Sequence, residues 1–330
     1  MADPQVAGVP IGVGFTPFED RLDVIESVTL RAESAGIAFV SVAEAMSLAA
    51  PLVLARLAAR TSTIGLATGV LSVWGRTPAT LAMTAAELQR QSDGRFVLGL
   101  GAGTAPITEG FHGRTWQAPL AQVRSTCVAV RALLAGERLP DAPEGARPLA
   151  LALPPARPVP LALAAVTEPS IRQVGELADQ WMPFLLPATA LDRGRELVQE
   201  SAAAHGRAVP TVTAAVPVAM AEDEAGAAAI AARWLVTYTT RMGPVYPRVL
   251  REHGYAPEID ALLEASTDPR NPLLPAAAER LAHDVLAFGR LADAPRVLDR
   301  WRAHADALAL VLPFGAPEHD LHAVVDAATS

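Results

Sequence analysis

The chain contains no lysine: all 27 of its basic residues are arginine. Without an ε-amine it has no Schiff-base chemistry and no phosphate loop ending in lysine. A lysine-free, alanine-rich composition is the mark of GC-rich coding and carries no mechanistic weight. Cysteine is nearly absent too. Cys127 stands alone in an apolar helical pattern, which excludes an intrachain disulfide framework and a cysteine-based zinc module and points to a reducing compartment. Aromatic residues make up 5% of the chain and charged residues 19%, with a formal net charge of −8. Such a chain lacks the basic footprint of general nucleic-acid binding, so no nucleic-acid partner is expected. No apolar run approaches the roughly 18 residues that a bilayer span requires. No arginine precedes Arg21 to form the positive start of a secretory signal. The expectation is a cytoplasmic protein with no membrane partner.

What the chain does have is length and apolar content. Its 330 residues are 51% hydrophobic, enough to build a large core without a disulfide or a structural metal. Eight short apolar runs read as strands: Gly8 to Phe15, Phe39 to Ala43, Ile64 to Val70, Phe96 to Gly101, Leu161 to Ala164, Trp181 to Leu185, Val212 to Met220 and Leu308 to Pro313. Segments with apolar residues at helical spacing lie between them, such as Leu52 to Ala59, Leu81 to Leu88 and Val123 to Leu134. Strands that are apolar throughout, alternating with helices, belong to a covered parallel sheet. Eight such units predict an α/β fold of the (β/α)8 barrel type, one domain over residues 1–330. Residues 222–292 are too long for one connecting helix and read as a helical insertion before the last strand. The proline-rich stretch Leu139 to Pro160 reads as an excursion without helix or central strand.

A barrel of this kind builds its active site from the loops at the C-terminal ends of its strands. Glu44 ends the second strand after apolar and small residues, which places a carboxylate towards that face. Glu109 and His112 follow the fourth strand in Glu-Gly-Phe-His-Gly. They read either as a general acid/base pair or as a loop-ordering carboxylate beside a solvated histidine. Gly99-Leu-Gly-Ala-Gly103 misses the dinucleotide fingerprint, because Thr104 stands where a third glycine belongs and Pro106 obstructs a helix there. It remains a tight turn or a ligand-contact loop. Thr167 reads as the N-cap of a helix with Pro169 in its first turn, a plain capped helix or a phosphate seat. His319 and His322 lie three apart but lack a third ligand nearby, so no metal site is expected.

Taken together, the segments resemble the luciferase-like flavin and deazaflavin oxidoreductases, and within them the coenzyme F420-dependent branch of actinobacteria. The pieces that carry the resemblance are VAEA at Val42 to Ala45, the run from Arg76 to Gly103 ending in SDGRFVLGLGAG, EGFHG at Glu109 to Gly113, and PVPLALAAVTEPSIRQVGELADQWMP at Pro158 to Pro183. The resemblance implies a non-proline cis peptide at Gly69-Val70 backing the cofactor ring. It places Gly103, Thr104 and Glu109 beside that ring, and Ala164, Ala165, Val166 and Thr167 at the cofactor phosphate. It also implies coenzyme F420 as cofactor, or FMN in the alternative reading. The reaction would be hydride transfer between the deazaflavin C5 and a small organic substrate, with Glu109, His112 and Glu44 as candidate catalytic groups and Trp74, Phe111 and Trp116 shaping the substrate site. The alternatives are an FMNH2-dependent monooxygenase and a barrel that binds ligand without catalysis. A homodimer is the expected assembly. Two departures from the family pattern stand out. Ala45 replaces the histidine that many relatives carry, which moves the proton role to Glu109 and His112. Thr167-Glu168 replaces a Gly-Pro pair at the phosphate loop, so Glu168 is expected to face solvent and leave Arg172 as the nearest cation.

Overall fold

Side-chain size sorts the two faces of the strands. Val13, Val40, Leu66, Leu98, Leu161, Trp181 and Leu308 are fully or almost fully buried in one core with the apolar stripes of the surrounding helices. The alternate positions are mostly glycine and alanine, and they point inward. A Cβ added to Gly69 would meet Ser41 and Met182, which belong to opposite sides of the ring of strands. Period-two alternation therefore gives a sheet with a bulky outer face and a thin inner one.

The computed structural model describes residues 8–266, 268 and 270–330. Its strands are β1 (Ile11–Phe15), β2 (Phe39–Val42), β3 (Gly65–Thr68), β4 (Leu71–Ser72), β5 (Phe96–Gly101), β6 (Leu161–Leu163), β7 (Gln180–Trp181), β8 (Thr211–Ala221), β9 (Ala287–Arg290) and β10 (Ala307–Val311). Eight of them close into a parallel barrel in the order β1, β2, β3, β5, β6, β7, β8, β10, and β10 pairs back onto β1 with Ile11 opposite Leu308. The expected barrel is thus the observed one. The third run is a strand only to Thr68; Gly69 and Val70 interrupt it, and β4, beyond the expected run, resumes the pairing with β5.

The helices are α1 (Leu22–Ser34), α2 (Ala50–Arg60), α3 (Pro78–Gln91), α4 (Ala105–Gly110), α5 (Pro119–Leu134), α6 (Glu168–Leu177), α7 (Ala188–Ala204), α8 (Glu224–Thr240), α9 (Val245–Glu252), α10 (Ala256–Ala265), α11 (Glu279–Val285), α12 (Ala294–Arg302) and α13 (Glu318–Ala328). Several begin as their sequences dictate. Thr77 accepts a hydrogen bond from the Thr80 amide ahead of Pro78, and Asp223 accepts one from Gly226. Pro106 does not obstruct a helix after all. It occupies the first turn of α4, where its missing N–H costs nothing, so Glu109 sits on a short helix and not in an open loop.

Residues 222–292 form helices, as expected, but not helices alone. They end in β9, which pairs with the distal half of β8 from Val218 to Ala221. A second apolar cluster gathers there around Trp234, Tyr238, Tyr255, Ile259 and Leu281. The Leu139–Pro160 excursion holds no helix or strand. Among the described residues no helix is long and apolar enough to cross a membrane.

Candidate cofactor and active site

The C-terminal mouth of the barrel is built from β-strand ends that carry almost no side chain. The Gly69-Val70 peptide is cis, as the family resemblance implied. Val70 turns its side chain across β5: a Cβ on Gly101 would stand 2.8 Å from Val70 Cγ2 and 3.5 Å from the Ala164 Cβ. Gly103 has a φ of 71°, a conformation that suits glycine, with Ser72 beneath it. The result is an apolar ledge bordered by Gly101, Gly103 and Ala164, a cradle that added methyl groups would fill.

Ala164 to Thr167 lead from β6 into α6. The loop is anchored from below, because the buried indole of Trp181 donates to the Ala165 carbonyl at 2.9 Å. Gly194 on α7 makes that possible, since any Cβ there would run into the Trp181 ring. At the start of α6 the Thr167 amide donates to Ser170 Oγ at 3.1 Å, and the two hydroxyls lie 2.9 Å apart. The Thr167 hydroxyl is therefore part of the helix cap. Glu168 is exposed, as expected, but it takes Arg172 with it: Arg172 pairs with Glu168 at 3.1 Å and with Glu200 at 3.0 Å. The cation nearest in sequence is committed elsewhere, and the backbone amides carry the positive potential of this loop.

The two candidate carboxylates have different surroundings. Glu44 receives Arg76 on both oxygens, through Nη1 and, at 2.9 Å, through Nη2, and it also accepts the first amide of α2, Ala50, at 3.0 Å. Its carboxylate is turned into this clamp and is not free towards the mouth. Arg76 lies 32 residues further on and was not singled out from sequence. Opposite charge in neighbouring βα loops is the only sequence signal for it. Glu109 is exposed and accepts the Trp116 amide at 3.1 Å. His112 is half-buried beside Gly75, its Cε1 2.9 Å from where a Cβ on Gly75 would stand, and its imidazole has no hydrogen-bond partner among the described residues. Trp74 and Trp116 stack at a tilt with centroids 5.8 Å apart, while Phe111 is exposed with its ring against His112. The Trp74 Nε1 is buried without a partner among the described residues, and a buried indole N–H ordinarily has one.

Sequence reading missed an aromatic wall on the opposite rim. Phe184, beyond β7, contacts Tyr238 at 4.8 Å and Tyr246 at 5.9 Å between ring centroids, and Phe314, beyond β10, contacts Trp234 at 5.6 Å. Burial pushes the Tyr246 phenol up to about 12 and the Tyr238 phenol up as well, so both stay protonated. Neither hydroxyl has a partner among the described residues. Glu19 was missed too. Its burial would raise its pKa, but the hydrogen bonds and charge of Arg21 and a hydrogen bond donated by the Gly315 amide outweigh that and hold it low. Arg21 also donates to the Ala316 carbonyl at 2.8 Å, tying the first loop to the last.

The family model described as luciferase-like monooxygenase matches residues 7–308. The chain belongs to that family. Like the family, it is an oxidoreductase that uses a flavin or deazaflavin. A Mycobacterium tuberculosis protein provisionally named a coenzyme F420-dependent oxidoreductase is 27% identical over 353 aligned positions, covering 97% of this luciferase-like chain and 99% of that protein. Among solved structures, the coenzyme F420-dependent tetrahydromethanopterin reductase of Methanopyrus kandleri superposes with a TM-score of 0.76 at 18% identity, covering 98% of each chain. The oxygenating constituent of 3,6-diketocamphane monooxygenase from Pseudomonas putida, in complex with FMN, gives 0.69 at 19% identity, again over 98% of each. At those identities the two structures share the luciferase-like fold. The mouth fits the cofactor class: a flat ring has an apolar ledge and glycines at its edge.

Proposed function

We propose that the protein is an F420-dependent oxidoreductase that moves a hydride between the deazaflavin and a small organic substrate. The observation that supports the reading best is the Val70 ledge over Gly101, bordered by Gly103 and Ala164, together with full-length similarity to the M. tuberculosis protein. When bound, F420 supplies a hydride at C5.

The chain supplies binding, orientation and the proton. The amides at the start of α6 offer partial positive charge to a phosphate, and Trp181 holds their loop in place through Ala165. Val70 backs one face of the ring. His112, half-buried and without a partner, is the group to hold and deliver a proton, since imidazole is the commonest proton carrier in enzyme sites. Glu109 orders the segment after α4 by accepting the Trp116 amide. Glu44, clamped by Arg76, fixes the β2–α2 loop. The protonated phenols of Tyr238 and Tyr246 are donors for an oxygen of the substrate, and the aromatic wall around them excludes water.

An FMN-dependent monooxygenase is the second reading, carried by the fold shared with the FMN-bound Pseudomonas enzyme. Equilibrium titration with F420 and with FMN, followed by oxygen uptake by the reduced complex, separates the two. Tight F420 binding without oxygen uptake is expected. Preferential FMN binding with stoichiometric oxygen consumption would replace the proposal. Binding without turnover on any acceptor would favour a ligand-binding barrel.

A further inference from the structure

The opposite end of the barrel is hollow. In barrels of this type the interior is ordinarily filled by layers of side chains from alternate strands. Here the N-terminal layer is thin: Gly12, Gly65, Ala67 and Ala307 contribute little volume, and the Phe39 ring lies across the Gly12 position. A cavity of about 220 Å³ remains among the first residues of the strands. Exposed Thr211 and Asp306 mark its opening to solvent. Met182 forms its inner end. The Met182 Cε also lies 3.8 Å from where a Cβ on Gly69 would stand, with Ser41 nearer still, so Met182 lies between the cavity and the mouth.

The lining defines what fits. Phe39, Val97, Ala67 and Met182 present apolar walls. The two charged groups at the edge are already satisfied. Arg95 donates to the carbonyls of Ser92, Ile64, Thr61 and Ala58, and Asp306 accepts Arg195 and the Val212 amide. Neither offers a free charge to an ionic ligand. The Gln180 amide and the Thr213 hydroxyl, both lining the cavity, have no hydrogen-bond partner among the described residues. Thr213 is only 6% exposed. Apolar cavities of about 150 Å³ in other proteins hold a benzene ring, so the volume here accommodates one ring with a polar substituent.

We propose that this cavity is a second binding site, separate from the cofactor mouth, for a neutral single-ring organic molecule bearing one hydroxyl or amide-like group, the ring against Phe39 and Met182 and the polar group on Thr213 and Gln180. The site stands on its own geometry and does not depend on which cofactor the mouth takes.

Phenol is the probe, with benzene as its apolar counterpart, each titrated against the whole chain by ligand-observed NMR. Saturable one-to-one phenol binding is expected. Ala67→Leu, which fills the cavity from β3, should weaken it at least tenfold. Thr213→Val keeps the shape and removes the hydroxyl, so phenol should bind about fivefold more weakly while benzene is unchanged. This second variant decides the matter if the larger side chain at position 67 prevents folding. Absence of saturable phenol binding overturns the proposal. So does phenol binding that Thr213→Val leaves unchanged, because the ring then sits elsewhere, the mouth included.

Discussion

At the C-terminal end of the barrel, Gly69, Gly101 and Ala164 leave room beneath loops that Glu44, Arg76, Glu19 and Arg21 tie together. At the N-terminal end, Gly65, Ala67 and Ala307 leave room that opens directly to solvent. Small inward side chains are common to both ends, so thin lining by itself makes volume and not chemistry. What distinguishes the upper end is the equipment its loops bring: an unpartnered imidazole and indole, helix-start amides, and protonated phenols. The lower end has two idle hydrogen-bonding side chains and no proton carrier.

The largest effect that would sharpen this contrast is on turnover. His112→Gln should lower kcat by about a hundredfold or more, the usual scale for losing a general acid or base. Glu109→Gln should stay within a few-fold, because its amide oxygen still accepts the Trp116 N–H. Steady-state rates across pH with reduced F420 check both. A more damaging Glu109 variant would reverse the roles assigned here.

Stability comes next. Arg76→Ala strips the clamp from a largely buried Glu44 and should cost about 3 kcal/mol in urea unfolding, at the lower end for a broken buried pair. Adding Glu44→Gln should restore part of that loss. Simple additivity of the two changes would show that the clamp is not a coupled unit.

Gly101→Val pushes a branched side chain onto Val70. Overpacking of about 1–3 kcal/mol should appear as roughly ten- to hundredfold weaker cofactor binding by fluorescence titration. Ala67→Leu at the other end should leave cofactor affinity within twofold. Equal losses would mean that Met182 transmits strain from one end to the other.

The smallest effect lies in the loop that leads into β3. Glu33 on α1 receives the amides of Ser62, Thr63 and Ile64. Burial would raise its pKa, but these bonds outweigh it and bring it from 4.5 to about 2. A carboxylate lowered on folding stabilises the protein above its unfolded value. That contribution disappears as pH falls from about 4.5 towards 2. Glu33→Gln should therefore cost about 1 kcal/mol near neutrality, allowing for solvent screening, and less below pH 3. A constant loss across an acid series of unfolding curves would assign the effect to packing.

Much of this fold was legible because its signals are local. The run Phe96 to Gly101 is a strand end to end, and the Arg76–Gly103 segment carries its family pattern without interruption. β9 was not legible. Ala-Phe-Gly-Arg is short, ends in a charge and contains Gly289 at a φ of 151°, and its strand character comes from the pairing edge that β8 offers. The run from Trp181 to Leu185 also kept only its first residue, in the two-residue β7 of Gln180–Trp181, because Pro183 has no N–H for a ladder and Leu185 takes a φ of 55°. In the site, Glu44 was found and its partner was not. Pairing of β2 with β3 brings Arg76 beside it, and nothing local in either loop marks that contact. The rim of Phe184, Tyr238, Tyr246 and Phe314 likewise joins four separate elements, and each residue alone reads as ordinary core.

The long strand β8 has one more consequence. Its first half belongs to the barrel wall and its second half holds β9 in register from Val218 to Ala221. The helical segment above the mouth is thereby stitched by its backbone to the wall, with Trp234 adding a bond to the Val218 carbonyl at 2.8 Å. Swinging it aside would break that seam, at about 1 kcal/mol for each hydrogen bond, as well as expose its aromatic packing. That rim behaves as masonry, and traffic into the mouth has to pass on the other side, over the short α4 and the exposed Glu109-Gly-Phe111 step.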